Sequence, residues 1–112
     1  MTFLYLNSCG IGNGPSSELS EKLMEVFLGE LVSSKQKVDI IGCVNSGVFL
    51  TTREGPSLES LRKLEQKGAQ VVSCGTCLKH FNLEKDIKIG MIGTMDKTVN
   101  ILFDADKVIK PC

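Results

Sequence analysis

A chain of 112 residues with 42% hydrophobic side chains is long enough to bury one core and too short for two, so residues 1-112 are expected to form a single domain. Thirteen Lys plus Arg balance thirteen Asp plus Glu, which removes the electrostatic footprint of a nucleic-acid or anionic-membrane binder and favours a small neutral substrate or a protein partner. Five cysteines are an odd count, and Met1-Thr2-Phe3-Leu4-Tyr5-Leu6 has no basic leader before its short apolar run. Both features exclude a secreted disulfide scaffold and point to a cytoplasmic protein, in which cysteines are catalytic, redox-active or metal-binding.

Strand-like and helix-like patterns alternate along the chain. Phe3 to Leu6 reads as a first strand, closed by Asn7, Ser8 and the glycines at 10, 12 and 14. After Pro15, the positions Leu19, Leu23, Val26, Phe27 and Leu31 recur at three- and four-residue spacing and mark one helix face. Met24, Leu28 and Val32 widen that face, which implies either deep burial or a subunit contact. Val38 to Val44 reads as the second strand, stopped by Asn45-Ser46-Gly47. Gly55-Pro56 opens a helix with Leu58, Leu61 and Leu64 on one side and Gly68 as its stop. Ala69 to Ser73 is the third strand, followed by a short helix around Leu78 to Phe81, a fourth strand from Ile87 to Ile92, a helix from Thr94 to about Phe103, and a closing strand at Lys107-Val108-Ile109. Such alternation implies right-handed crossovers, hence an α/β fold with a mostly parallel five-stranded sheet and helices on both faces.

Chemistry concentrates at Cys74-Gly75-Thr76-Cys77, where the third strand gives way to the next segment. Free N–H groups at a helix start favour negative charge, so a thiol there is expected to fall from a pKa of about 8.5 into the range of roughly 3.5 to 7.5. Cys9, Cys43 and Cys112 also lie at strand ends, so all five sulfurs are expected on the carboxyl edge of the sheet, where open α/β folds bind ligands. Gly10-Ile11-Gly12-Asn13-Gly14 is neither a dinucleotide fingerprint nor a Walker loop; it reads as a turn whose N–H groups offer a place for a small anion. Cys74, Cys77 and His80 form C-x2-C-x2-H, compressed for structural zinc but open to it with a fourth cysteine. No Gly-x-Ser-x-Gly elbow is present, and Glu18, Glu21, Glu25 and Glu30 among lysines form a solvated helix face, so hydrolase and paired-carboxylate chemistry find no support.

Asn45-Ser46-Gly47-Val48, the leucine-rich helix ending Glu65-Gln66-Lys67-Gly68, Val71-Val72-Ser73-Cys74-Gly75-Thr76-Cys77-Leu78 and Ile87-Lys88-Ile89-Gly90 together resemble the carboxyl-terminal domain of YedF-type selenium-metabolism proteins, which is DsrE-like. The resemblance runs from about Leu4 to Pro111. It implies a three-layer α/β/α domain and sulfurtransferase-like handling of sulfur or selenium as a cysteine persulfide or selenopersulfide, or a CxxC thiol redox role. Cys74 is the matching carrier position and Cys77 the second thiol; Asn45 and Gly47 flank the same edge, and with Gly10, Gly12, Gly75 and Thr76 they are the candidate substrate-binding residues. No cofactor is expected. Cys9, Cys43 and Cys112 fall outside the matched pattern. The TusA-like domain that precedes this domain in YedF-type chains has no counterpart before the first strand, so the expected donor and acceptor are separate proteins, a TusA-like protein among them. Relatives of this type assemble, and a homo-oligomer through apolar helix faces is expected. Two readings of other classes stand beside this one: a module that binds a small anion or a partner with inert cysteines, and a zinc-binding regulatory domain.

Overall fold

Alternating side chains divide the strands into two faces, and the two faces are covered very differently. The computed structural model describes all 112 residues. Strands β1 (Thr2–Leu6), β2 (Ile40–Cys43), β3 (Gln70–Cys74), β4 (Met91–Gly93) and β5 (Lys107–Ile109) form one parallel sheet in the order β4-β3-β2-β1-β5. Register places Leu4, Ile41 and Val71 side by side, then Leu6, Cys43 and Ser73. These residues form the core face. They pack under helix α1 (Ser17–Ser33) through Met24 and Leu28 and under helix α3 (Pro56–Gln66) through Leu58, Leu61 and Leu64.

Local chemistry sets the helix ends. The Ser16 hydroxyl accepts the Leu19 N–H at 3.1 Å and caps α1. Pro56 occupies the first turn of α3, where its missing N–H is not needed, and Gly68 takes a φ of +109° just past the end. The breadth of α1 is explained inside the chain. Met24 and Leu28 are fully buried and Val32 packs on the same cluster, whereas Leu19, Leu23 and Val26 of the expected helix face stay exposed.

Three boundaries differ from the pattern reading. The expected turn at Asn45 is a 3-10 segment (Asn45–Val48) running directly into helix α2 (Phe49–Thr52), held where the Thr51 and Thr52 hydroxyls each donate to the Val48 carbonyl at 3.0 Å. Helix α4 begins at Gly75 and ends at His80, enclosing the CxxC motif rather than following it. The fourth strand does not start at Ile87. Lys88 donates its N–H to the Thr51 carbonyl at 2.9 Å, and Gly90 turns at φ +75° so close to β3 that a Cβ would stand 2.8 Å from the Val71 carbonyl carbon. Residues 87–90 therefore pass beneath α2 before pairing begins at Met91.

The opposite face carries Phe3, Tyr5, Gly42, Val72 and Cys74, and helix α5 (Met95–Asp104) crosses it. No residue of α5 is buried, and Met95, Val99 and Phe103 recur every fourth position on its exposed side, Phe103 at 86% exposure. Parallel sheets ordinarily bury both faces, so this half-covered layer is the unusual part of the molecule. No helix is long and apolar enough to cross a membrane.

Candidate functional site

Because every strand runs the same way, β1, β2 and β3 end on one edge, and the Asn45–Val48 turn is clamped against that edge. Val44 donates its N–H to the Leu6 carbonyl at 3.0 Å, and Gly47 donates to the Val44 carbonyl at 2.8 Å. Gly47 lies so near the end of β1 that a Cβ would overlap the Leu6 carbonyl oxygen, which explains glycine there. Asn45 adopts a left-handed φ of 52°, a conformation open to asparagine, and so aims its N–H at Cys77 Sγ, 3.1 Å away.

A second clamp holds β3. Thr51 Oγ1 lies 2.7 Å from Ser73 Oγ, both residues being fully buried. The single Thr51 proton goes to the Val48 carbonyl, so the Ser73 hydroxyl is the donor of this pair. Cys74 thus leaves the strand from a fixed point. It sits at the N-cap of α4 and is 6% exposed, while Cys77, one turn further, is half-buried.

Electrostatics correct the expected acidification for Cys77. Burial pushes its thiol up, the hydrogen bond with Cys74 pushes it further, and the Asn45 N–H lowers it by less than these two raise it. Tyr5 completes the cluster. Its phenol is raised first by burial and then by the charge that Cys74 and Cys77 acquire when they ionise. Tyr5 went unrecognised among the site residues in the sequence. The signal was its strand parity, which puts it level with Gly42 and Val72 on the Cys74 face.

The remaining predicted residues separate. Gly75 adjoins β4, where a Cβ would stand 3.1 Å from Ile92 Cγ2, and Thr76 is exposed at the start of α4. In the glycine loop, three consecutive N–H groups are already engaged: Cys9 to Ser46 Oγ at 3.2 Å, Gly10 to Ser8 Oγ at 3.1 Å and Ile11 to the Ser20 carbonyl at 2.9 Å. Gly10 packs on α1, a Cβ there standing 2.8 Å from Ser20 Cβ, and Gly12 turns at φ +90°. The loop is joined to the thiol pair only through its neighbour in the 45–48 turn, Ser46.

All five cysteines are free thiols, four at or just beyond strand ends and Cys77 inside α4, and the sheet's two faces separate Cys43 from Cys74. Cys43 points into the core, where burial pushes it up to about 12 with Cys112 as its charged neighbour. Cys9 donates to Glu21 Oε1 at 3.7 Å in a separate cleft containing Arg53, whose guanidinium lies 3.9 Å over the Phe49 ring. His80 is exposed and meets Phe81 edge-on at 5.1 Å between ring centroids. No group of three His, Cys, Asp or Glu side chains converges for a metal, so Cys74, Cys77 and His80 do not assemble the zinc site considered from spacing.

A parallel α/β domain with a CxxC thiol pair where its third strand enters a short helix defines a class of thiol-bearing, sheet-edge sites. Residues 18–111 match the model of the DsrE/DsrF-like family, and the chain belongs to that family, which is generally implicated in sulfur metabolism. The YchN protein of E. coli superposes with a TM-score of 0.69 at 19% identity, covering 97% of each chain. MTH1491 of Methanobacterium thermoautotrophicum, described as a protein of unknown function, gives 0.67 at 14% identity over 98% of this chain and 97% of its own. These likenesses show a shared fold. No curated protein is significantly similar in sequence.

Proposed function

We propose that this protein is a sulfur or selenium carrier of the YedF type, with Cys74 as the persulfide or selenopersulfide position and Cys77 as its resolving thiol. The observation that carries this reading is the placement of Cys74 at the N-cap of α4 with Cys77 one turn on, backed by the Asn45 N–H on Cys77 Sγ at 3.1 Å. Cys77, raised in pKa, keeps its proton at neutral pH, and Cys74, at the strand end and the start of α4, is the nucleophile of this reading.

Loading is a thiol exchange. The Cys74 thiolate attacks the outer sulfur of a donor persulfide R–S–SH, a new S–S bond forms as the old one breaks, and R–S⁻ departs with the electron pair. Transfer to an acceptor thiolate repeats the step in reverse. Resolution is the alternative outcome: Cys77 loses its proton, attacks Cys74 Sγ and expels HS⁻, leaving a Cys74–Cys77 disulfide that a reducing thiol reopens. A Cys77 that holds its proton favours the hand-off over resolution. In this reading donor and acceptor are other proteins, a TusA-like protein among them, and the exposed Met95, Val99 and Phe103 side of α5 suits assembly with further copies of the chain. A mass of 12.2 kDa in sedimentation at micromolar concentration would rule out that assembly.

Intact mass after incubation with inorganic polysulfide or with glutathione selenopersulfide (GS–SeH), each of which carries its outer atom at the level that thiol exchange transfers, tests the carrier role. Cys74→Ser is expected to abolish the gain of sulfur, and Cys77→Ser to keep Cys74 loaded for longer. Unchanged loading in the Cys74 variant removes the proposal, and the relative gain from the two reagents separates sulfur from selenium.

A further inference from the structure

Between the outer sheet face and α5 lies a cavity of about 180 Å³, and Cys74 lines it. This space is larger than the ~150 Å³ void that holds benzene in an engineered core. Two glycines shape its floor. Gly42 and Gly93 occupy β2 and β4 on the face that Cys74 shares, and neither projects a side chain into the layer that an ordinary strand residue would fill. The Phe3 ring lies across Gly42, where a Cβ would stand 2.7 Å from Cζ, and Val72 occupies the corresponding place at Gly93. The floor is therefore apolar and flat. Ile101 of α5 and Met91 of β4 close the cavity from above and from the side.

The polar lining is not spread evenly along the chain. Gly93 pairs with Cys74, and Thr94 and Lys97 follow within the first turn of α5, so the one charged residue of the lining belongs to the thiol end. Toward the amino end of the strands the lining residues are Ile40, Phe3 and Gln70. A cavity built this way receives an apolar body and presents a cation where sulfur chemistry takes place.

We infer that this cavity is the substrate subsite of Cys74 and that it takes a small organic persulfide with an apolar body, its S–SH end lying toward Cys74 and the Lys97 cation, which favours the thiolate R–S⁻ as it leaves. The inference rests on the carrier reading for the chemistry of the thiol, whereas the binding itself does not require it. In the step, Cys74–S⁻ attacks the outer sulfur of R–S–SH, the Cys74 S–S bond forms, the R–S bond to that sulfur breaks, the proton stays on the transferred sulfur, and R–S⁻ leaves to be protonated by water. No oxidant or reductant is consumed. Each methylene of R that the cavity takes out of water raises occupancy about fourfold.

The test uses the full chain in its reduced form with two persulfides at equal concentration, butyl persulfide and the zwitterionic cysteine persulfide, and reads sulfur gain at Cys74 by mass. Butyl persulfide is expected to load at least tenfold faster. Ile101→Trp, which fills the cavity from the α5 side, is expected to erase that preference, and Lys97→Gln to slow butyl persulfide loading severalfold at low salt. Val99→Ser on the outer side of α5 is expected to change neither rate. Binding is read independently with benzyl methyl sulfide, which thiols do not attack: saturable methyl shifts at Met91 and Ile101 are expected, and their loss in Ile101→Trp, whose fold is checked by circular dichroism. Equal loading by the two persulfides, or no saturable shifts, overturns the subsite. If polysulfide and both persulfides leave Cys74 unmodified while benzyl methyl sulfide still binds, the carrier reading falls and the cavity remains as a binding site.

Discussion

Replacing Gly47 by alanine probes the clamp that aims the 45–48 turn at Cys77. The added Cβ would overlap the Leu6 carbonyl oxygen and stand 3.1 Å from the Leu6 carbonyl carbon, inside the ~3.5 Å at which nonbonded carbons rest. Relief by moving β1 is blocked, because Leu6 is fully buried and its carbonyl accepts the Val44 N–H. Relief by moving the turn stretches the Gly47 N–H bond to the Val44 carbonyl. Overpacking of this kind costs about 1–3 kcal/mol and a weakened backbone hydrogen bond about 1 kcal/mol more, so a loss of roughly 2–4 kcal/mol is expected. For a domain of this size that lowers the melting temperature by roughly 8–16 °C. Urea unfolding monitored by circular dichroism measures it, with Gly29→Ala as the opposing control. Gly29 lies in α1 with open space around it, and alanine there is expected to stabilise by about 0.5–1 kcal/mol. The same displacement withdraws the Asn45 N–H, which lowers the Cys77 pKa, so alkylation of Cys77 at neutral pH slows in the variant. A Gly47→Ala midpoint within about 0.5 kcal/mol of the parent would refute the clamp.

Three further outcomes follow from the burial of polar groups. Because the Cys77 pKa is raised, its thiolate is scarce at neutral pH and grows with alkalinity, so loss of sulfide from loaded Cys74 is expected to accelerate about tenfold per pH unit until that pKa is passed; a lifetime independent of pH between 6 and 9 speaks against Cys77 as the attacking group. Cys43 rises from 9.0 to about 12, so the folded state holds a proton that the unfolded state releases, and stability is intact below pH 9 and falls as pH climbs from 9 to 12, approaching a loss of about 4 kcal/mol. Denaturant titrations of Cys43→Ala are expected to show a shallower decline over that window, and parallel curves would mean that Cys43 ionises freely. Thr51→Val leaves the Ser73 hydroxyl buried without its acceptor and is expected to cost about 1–3 kcal/mol, whereas the double variant with Ser73→Ala recovers part of it.

The sheet was legible because its signals are local and repeated. Apolar runs bounded by glycine, proline and asparagine place β1, β2 and β3, and the leucines at 58, 61 and 64 place α3, since each pattern depends only on neighbours along the chain. The start of β4 was not legible, because Ile87 to Gly90 is apolar enough for a strand and is diverted by a contact with Thr51, more than thirty residues away. The candidate site divides along the same line. Cys74 and Cys77 announce themselves by spacing, and the 45–48 turn by its composition. What spacing cannot carry is the environment of each sulfur: Cys43 and Cys74 both end strands and both border the cavity, but Cys43 shares parity with Leu6 and packs in the core cluster, while Cys74 has the opposite parity, on the face of Tyr5 and Gly42. Period-two alternation thus decides which thiol substrate reaches. The same argument explains the expected acidification that fails at Cys77. A helix start contributes a fixed, modest attraction for charge, and α4 has only six residues with which to supply it, whereas desolvation grows with every neighbour that closes over the sulfur. In this family fold the reactivity of the pair is set less by the motif than by what covers it, and on the outer face the cover is a single loosely seated helix.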